Sequence, residues 1–146
     1  MIAKGALAGM DIEEIGRIAI DCGMEVHRKL GSGMLESAYE TVMAHLLEQR
    51  GLSVVRQKLI PIEFDGLAIE QGFRADIVIE GRVLLELKSV AQAAPAHHKQ
   101  VLTYLRFADL RLGYLMNFGG DTFREGLKRI VNNHTATGNA HMRINQ

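Results

Sequence analysis

Apolar residues recur at helical spacing near the start of the chain. Ile12, Ile15, Ile18, Ala19, Cys22, Val26 and Leu30 fall on one face, and Asp11 precedes Glu14 by three residues as a helix start signal. Gly31-Ser32-Gly33 breaks this helix. A second follows to about Arg50, with Leu35, Ala38, Tyr39, Val42, Met43, Leu46 and Leu47 inward and Gly51 as its stop. The period then changes. Leu52 to Phe64 is rich in β-branched and aliphatic residues, Asp65-Gly66 is a hairpin turn, and Ile69 to Ile79 is the returning strand. Glu80-Gly81-Arg82 forms another turn, and Val83 to Val90 a third strand. Pro95 opens a helix to about Ala108, with Val101, Tyr104, Leu105 and Ala108 as its stripe. Leu112 to Phe118 reads as a buried strand, parallel to the third because a helix joins them. Phe123 to Val131 fits either a strand or a helical turn, and from Asn132 the small polar residues predict a frayed tail.

The expected architecture is α/β, a mixed central sheet flanked by helices, in one domain spanning residues 1–146 with an ordered core from about 11 to 131. Apolar residues make up 47% of the chain and charged residues 23%, which suits a globular protein able to close a core without staples. The single cysteine, Cys22, cannot form an internal disulfide and reads as a small core residue. Met1 to Gly9 is too weakly apolar for a signal peptide, and no run is long enough to cross a bilayer, so a cytoplasmic, non-membrane protein is expected. Lys plus Arg equal Asp plus Glu at 17 each. That balance counts against a strong sequence-independent DNA binder, which needs a basic excess.

The chemistry concentrates on the second hairpin. Strands alternate faces with period two, so Val83, Leu85 and Leu87 share one face and Glu86 and Lys88 the other. Asp76 joins Glu86 only if paired residue numbers sum to an even value, as a three-residue connection through Glu80, Gly81 and Arg82 would give. Two neighbouring carboxylates repel, and a hard divalent cation such as magnesium relieves them. Lys88 can then orient a metal-bound water or offset phosphate charge. The bland alternative is a half-solvated strand with charges paired for solubility. Glu36 opens the second helix, where it also suits the helix dipole, and Tyr39 reads as a core aromatic. His97, Gln100 and Tyr104 share a helix face, so Gln100 could bond a metal-bound water or a nucleotide, with Tyr104 as its buttress. The adjacent His97 and His98 point about 100° apart and make no joint metal site, and no Cys/His spacing suits zinc. Gly31-Ser32-Gly33 lacks the following Gly-Lys-Ser/Thr of a phosphate loop and reads as an interhelical turn.

These residues together resemble the GxxExxY family of small bacterial proteins, whose motif stands here as Gly33, Glu36 and Tyr39, followed by Glu40. The resemblance continues through Leu30-Gly31, Phe73-Arg74-Ala75-Asp76, Glu86-Leu87-Lys88, His97 with Gln100, Thr103-Tyr104-Leu105, Gly113 to Gly119 and Arg129-Ile130. That family is similar to the PD-(D/E)XK superfamily, with its restriction-endonuclease-like αβββαβ core, here carrying an extra N-terminal helix. The resemblance implies Asp76, Glu86 and Glu36 as metal-ligating carboxylates, Lys88 as the water-positioning lysine, and Gln100 and Tyr104 as a QxxxY motif. Ala75 stands where proline often precedes the Asp. The expected activity is magnesium-dependent hydrolysis of phosphodiester bonds, manganese being the natural substitute. Asp76, Glu86, Lys88, Glu36 and Gln100 would act in catalysis, and Gln100, Tyr104 and His97 would contact the substrate. The expected partner is nucleic acid, DNA before RNA, with a homodimer left open. The alternative is a non-catalytic module that keeps the fold and binds nucleic acid or protein.

Overall fold

A computed structural model describes residues 9–133. Helix α1 (Ile12–Leu30) starts as its sequence directs, with Asp11 Oδ1 accepting the Glu14 backbone N–H at 2.8 Å. Helix α2 (Glu36–Gln49) follows the glycine turn. Strands β1 (Val54–Phe64) and β2 (Leu67–Ile79) form a long hairpin. Its strands close tighter than expected, Phe64 pairing with Leu67, because Asp65 and Gly66 both take positive φ, 48° and 80°. Strand β3 (Val83–Lys88), helix α3 (Pro95–Ala108) and strand β4 (Leu112–Asn117) come next. The ambiguous last segment is both things in turn. A single helical turn α4 (Phe123–Gly126), capped by Thr122, leads into β5 (Leu127–Val131).

The five strands lie in chain order, antiparallel except for the β3–β4 pair, which is parallel as the intervening helix requires. One face of the sheet carries Ile77, Ile79, Val83, Leu85, Leu87, Tyr114 and Met116. It packs against Ile15, Ala19 and Val26 of α1 and Tyr39, Met43 and Leu47 of α2. The other face carries Val78, Leu84, Leu115 and Ile130 against Val101, Tyr104 and Leu105 of α3. Strand β3, whose side chains alternate between the two faces, thus sits between two helical layers, which is why nearly all of it is buried. Gly23 lets α1 approach closely, since a Cβ there would lie 2.4 Å from the Phe123 ring.

Two anchors set the loops around the C-terminal end of β3. Tyr39 is fully buried, stacks on Phe118 at 4.6 Å between centroids, and donates its hydroxyl hydrogen to Gly31 O at 2.6 Å. That bond ties α2 to the turn, where Gly31 and Gly33 hold φ of 70° and 108°. The second anchor is Asn117, only 2% exposed. Its Oδ1 accepts the Val90 N–H at 3.0 Å and its Nδ2 donates to Val90 O at 2.9 Å. The segment after β3 therefore leaves the sheet at Lys88, two residues earlier than the β-pattern suggests, because a side chain takes the bonds that a ladder would have used. Asn132 corrects another expectation. It is not frayed: its N–H donates to Arg111 O at 2.9 Å and its amide to Leu110 O at 3.1 Å. The rest of the expected tail beyond Asn133, and Met1 to Ala8, lie outside the described residues.

Replacing Asn117 by Ala strands both Val90 backbone groups without partners. We expect a loss of about 2–4 kcal/mol of unfolding free energy, measured by urea denaturation. A variant as stable as the parent would show that this bracket does not hold the loop.

Candidate metal and active centre

The β2–β3 hairpin decides whether Asp76 and Glu86 can meet. Its connection is the three-residue Glu80-Gly81-Arg82, with Glu80 and Gly81 at φ of 54° and 65°, and Ile79 pairs with Val83, Val78 with Leu84 and Ile77 with Leu85. Every paired sum is even. The next position in that register sets Asp76 opposite Glu86, on the face shared with Leu84 and α3. Backbone pairing between the strands stops there. The Leu87 N–H goes to Asp76 Oδ2 instead, at 2.8 Å, so the aspartate side chain closes the ladder where the strands cease to pair.

Glu86 is 5% exposed. Its Oε2 lies 3.5 Å from Lys88 Nζ, while its Oε1 is buried with no hydrogen-bond partner. Burial and the neighbouring Asp76 charge push the Glu86 carboxyl up to about 8, with Lys88 pulling the other way. Asp76 is also raised, first by burial, against the opposing bonds from Leu87 N–H, Glu86 and Gln57. Each carboxyl group influences the other's protonation, so the two titrate as a coupled pair. Tyr104 completes the wall. It stacks on Phe73 at 4.0 Å between centroids, and burial together with the Glu86 and Asp76 charges raises its hydroxyl pKa.

Asp76, Glu86, Lys88 and Tyr104 are thus brought together. Gln100 is half-buried one helical turn before Tyr104. His97 turns to its own helix, its Nδ1 accepting the Ala94 N–H at 3.1 Å. Glu36 accepts the Ser89 N–H at 3.3 Å, beside the loop that follows Lys88. Among the described residues no group of three or more His, Cys, Asp or Glu side chains is arranged to hold a metal ion.

Two residues that the sequence pattern gave no role do reach the pair. Glu40, one turn after Glu36 and 7% exposed, lies near enough to act electrostatically on Asp76. Arg56 binds its Oε2 at 2.8 Å and Gln57 binds its Oε1. The same Gln57 nitrogen donates to Asp76 Oδ1 at 3.3 Å. Gln57 also has φ of 51° within β1, a conformation costing a non-glycine residue about 1–2 kcal/mol. Nothing in a strand pattern signals a left-handed glutamine. Glu40 alone was foreshadowed, by its place directly after Tyr39.

A profile of the PD-(D/E)XK nuclease superfamily matches residues 13–130, which include every element from α1 to β5 almost entire. The chain belongs to the PD-(D/E)XK nuclease superfamily. No curated protein and no solved structure was found to match it. Nucleases of this superfamily generally use divalent metals, and the residues present fit one. Glu86 Oε1 is a buried oxygen with no donor, and Asp76 adds a second hard oxygen ligand next to it.

A pH dependence follows from Glu86. Between about 4.5 and 8 the folded protein keeps a proton that the unfolded chain has released, so stability falls as pH rises through that window. In metal-free protein we expect the urea midpoint to drop from pH 5 to pH 8. Glu86→Gln should flatten this slope and stabilise the protein at pH 8 by roughly 1–3 kcal/mol. An equally steep slope in the Gln variant would place the proton elsewhere.

Proposed function

We propose that this protein is a metal-dependent nuclease that hydrolyses phosphodiester bonds in nucleic acid, DNA in the first instance and RNA in the second. The observation that carries the reading is the buried, partnerless Glu86 Oε1 beside Asp76, with Lys88 3.5 Å from the other Glu86 oxygen. An interior charge so placed is costly unless a cation answers it. Asp76 and Glu86 would hold a divalent ion, magnesium or manganese in its place. When bound, such an ion supplies a water of lowered pKa and a positive charge against the phosphate.

The chain's own residues divide the remaining work. Lys88 orients the attacking water and offsets charge on the phosphate oxygen, its ammonium being held near the centre by Glu86. Asp76 is kept in place by Leu87 N–H and Gln57. Gln100 and His97, on the N-terminal half of α3, contact the substrate, while the stacked Tyr104 is the firm wall behind Gln100. Glu36, on the rim beside Ser89, joins the metal shell only if it leaves that N–H. Within the superfamily we assign the chain to the GxxExxY group. Gly33 and Tyr39 of its motif then serve the turn, leaving Glu36 to face the site. A nucleic-acid substrate and a buried free Cys22 suit the cytoplasm. Among the described residues no helix is long and apolar enough to cross a membrane.

A second reading, a module that keeps the fold without cutting, draws support from the zero net charge and from the prior engagement of Glu36 and Glu40. Both readings meet the same experiment. Purified protein with single- and double-stranded DNA and RNA in magnesium or manganese should cleave at least one substrate, and Glu86→Ala or Lys88→Ala should lower the rate at least about 100-fold. Cleavage unchanged in both variants would refute the assignment. Absence of metal binding by calorimetry at millimolar concentration would favour the non-catalytic module.

A further inference from the structure

We propose that Gln57 is a positioning residue, an amide clamp that sets Asp76 against Glu40 so that the aspartate can receive a divalent cation. The inference rests on the reading of Asp76 and Glu86 as a metal centre and assigns a residue to that centre that its motif does not contain. The geometry is specific. One nitrogen, Nε2, donates to Glu40 on α2 and to Asp76 Oδ1 on β2, and a primary amide nitrogen carries two hydrogens, one for each carboxylate. Leu87 N–H holds the second aspartate oxygen, Oδ2, from the opposite strand. With both oxygens bonded, the Asp76 carboxylate has one orientation rather than several, and each oxygen retains a lone pair for an ion.

The backbone at Gln57 adds an independent observation. Its φ of 51° is the left-handed conformation that glycine and, less readily, asparagine adopt, yet a glutamine stands there. Core packing does not impose it, since Gln57 is exposed. The neighbouring pairs, Arg56 with Ile77 and Lys58 with Ala75, keep one register, so no inserted residue forces it either. What the conformation accompanies is the bridge between two helical and strand carboxylates. Strain of this kind persists where the surrounding structure over-determines it, and it clusters at functional sites. Arg56, the preceding residue, holds the other Glu40 oxygen at 2.8 Å and Thr41 Oγ1 at 2.9 Å, which keeps Glu40 fixed as the clamp's far jaw. Without the amide, Glu40 and Asp76 would confront each other directly. The aspartate would be free to turn away from Glu86.

The test separates positioning from folding. Gln57→Gly removes the amide and the strain together. Gln57→Asn tolerates the backbone but is one methylene too short to span both acids. Both metal-free variants should melt within about 3 °C of the parent, and both should bind Mn2+ roughly tenfold more weakly by calorimetry, the scale of a lost outer-shell partner. If Gln57→Gly fails to fold, Gln57→Asn carries the measurement. Parent-like Mn2+ affinity in the folded variants, whatever their melting temperature, would overturn the clamp while leaving the metal centre standing. A parent protein that binds no Mn2+ would overturn the metal centre and the clamp with it.

Discussion

A nearly buried glutamate facing an aspartate is the constraint around which this sheet is arranged. Taking one carboxylate out of water is unfavourable, and placing a second beside it more so. Left to burial alone, β3 would carry leucine or valine at position 86, as it does at 84, 85 and 87. The surrounding structure makes the arrangement tolerable without cancelling it. Lys88 neutralises part of the charge, the Leu87 N–H and the Gln57 amide bond the aspartate, and the raised pKa of the glutamate favours its neutral form.

The rest of the fold can be understood as holding that point still. Tyr39 locks the glycine turn and the start of α2, which brings Glu36 to Ser89 and Glu40 to Arg56 and Gln57. Asn117 brackets Val90 and so anchors the segment leaving β3 immediately after Lys88. Tyr104, stacked on Phe73, walls the pair from the α3 side. Two of these anchors, Tyr39 and Asn117, are polar groups with bonds of defined direction. They resist rotation and sliding in ways that apolar packing alone does not.

Two acids of α2, one helical turn apart, meet different partners. Glu36 accepts a hydrogen bond from the Ser89 N–H in the loop after β3. Glu40, four residues on, is bonded by Arg56 and Gln57, and its charge reaches Asp76. Residues four apart on a helix lie on nearly the same face at different heights. Which height meets the aspartate depends on how far α2 slides along the sheet, and side-chain spacing along one helix carries no record of that.

Local rules were enough for much of this protein. Period and turn residues placed the helices, the hairpins and the parallel return of β4, because each depends on contacts a few residues apart or on simple connection geometry. The parity argument tied Asp76 to Glu86 through a three-residue turn, since alternation along a strand is strict. Tertiary structure alone decided the left-handed backbone of Gln57, the joining of Glu40 to the site, the turning of His97 to its own helix end, and the anchoring of Asn132. Each of these is settled by groups distant in the chain that meet only after α2, the long hairpin and α3 have docked. Their directional bonds depend on position to within a fraction of an ångström, and no periodicity encodes that.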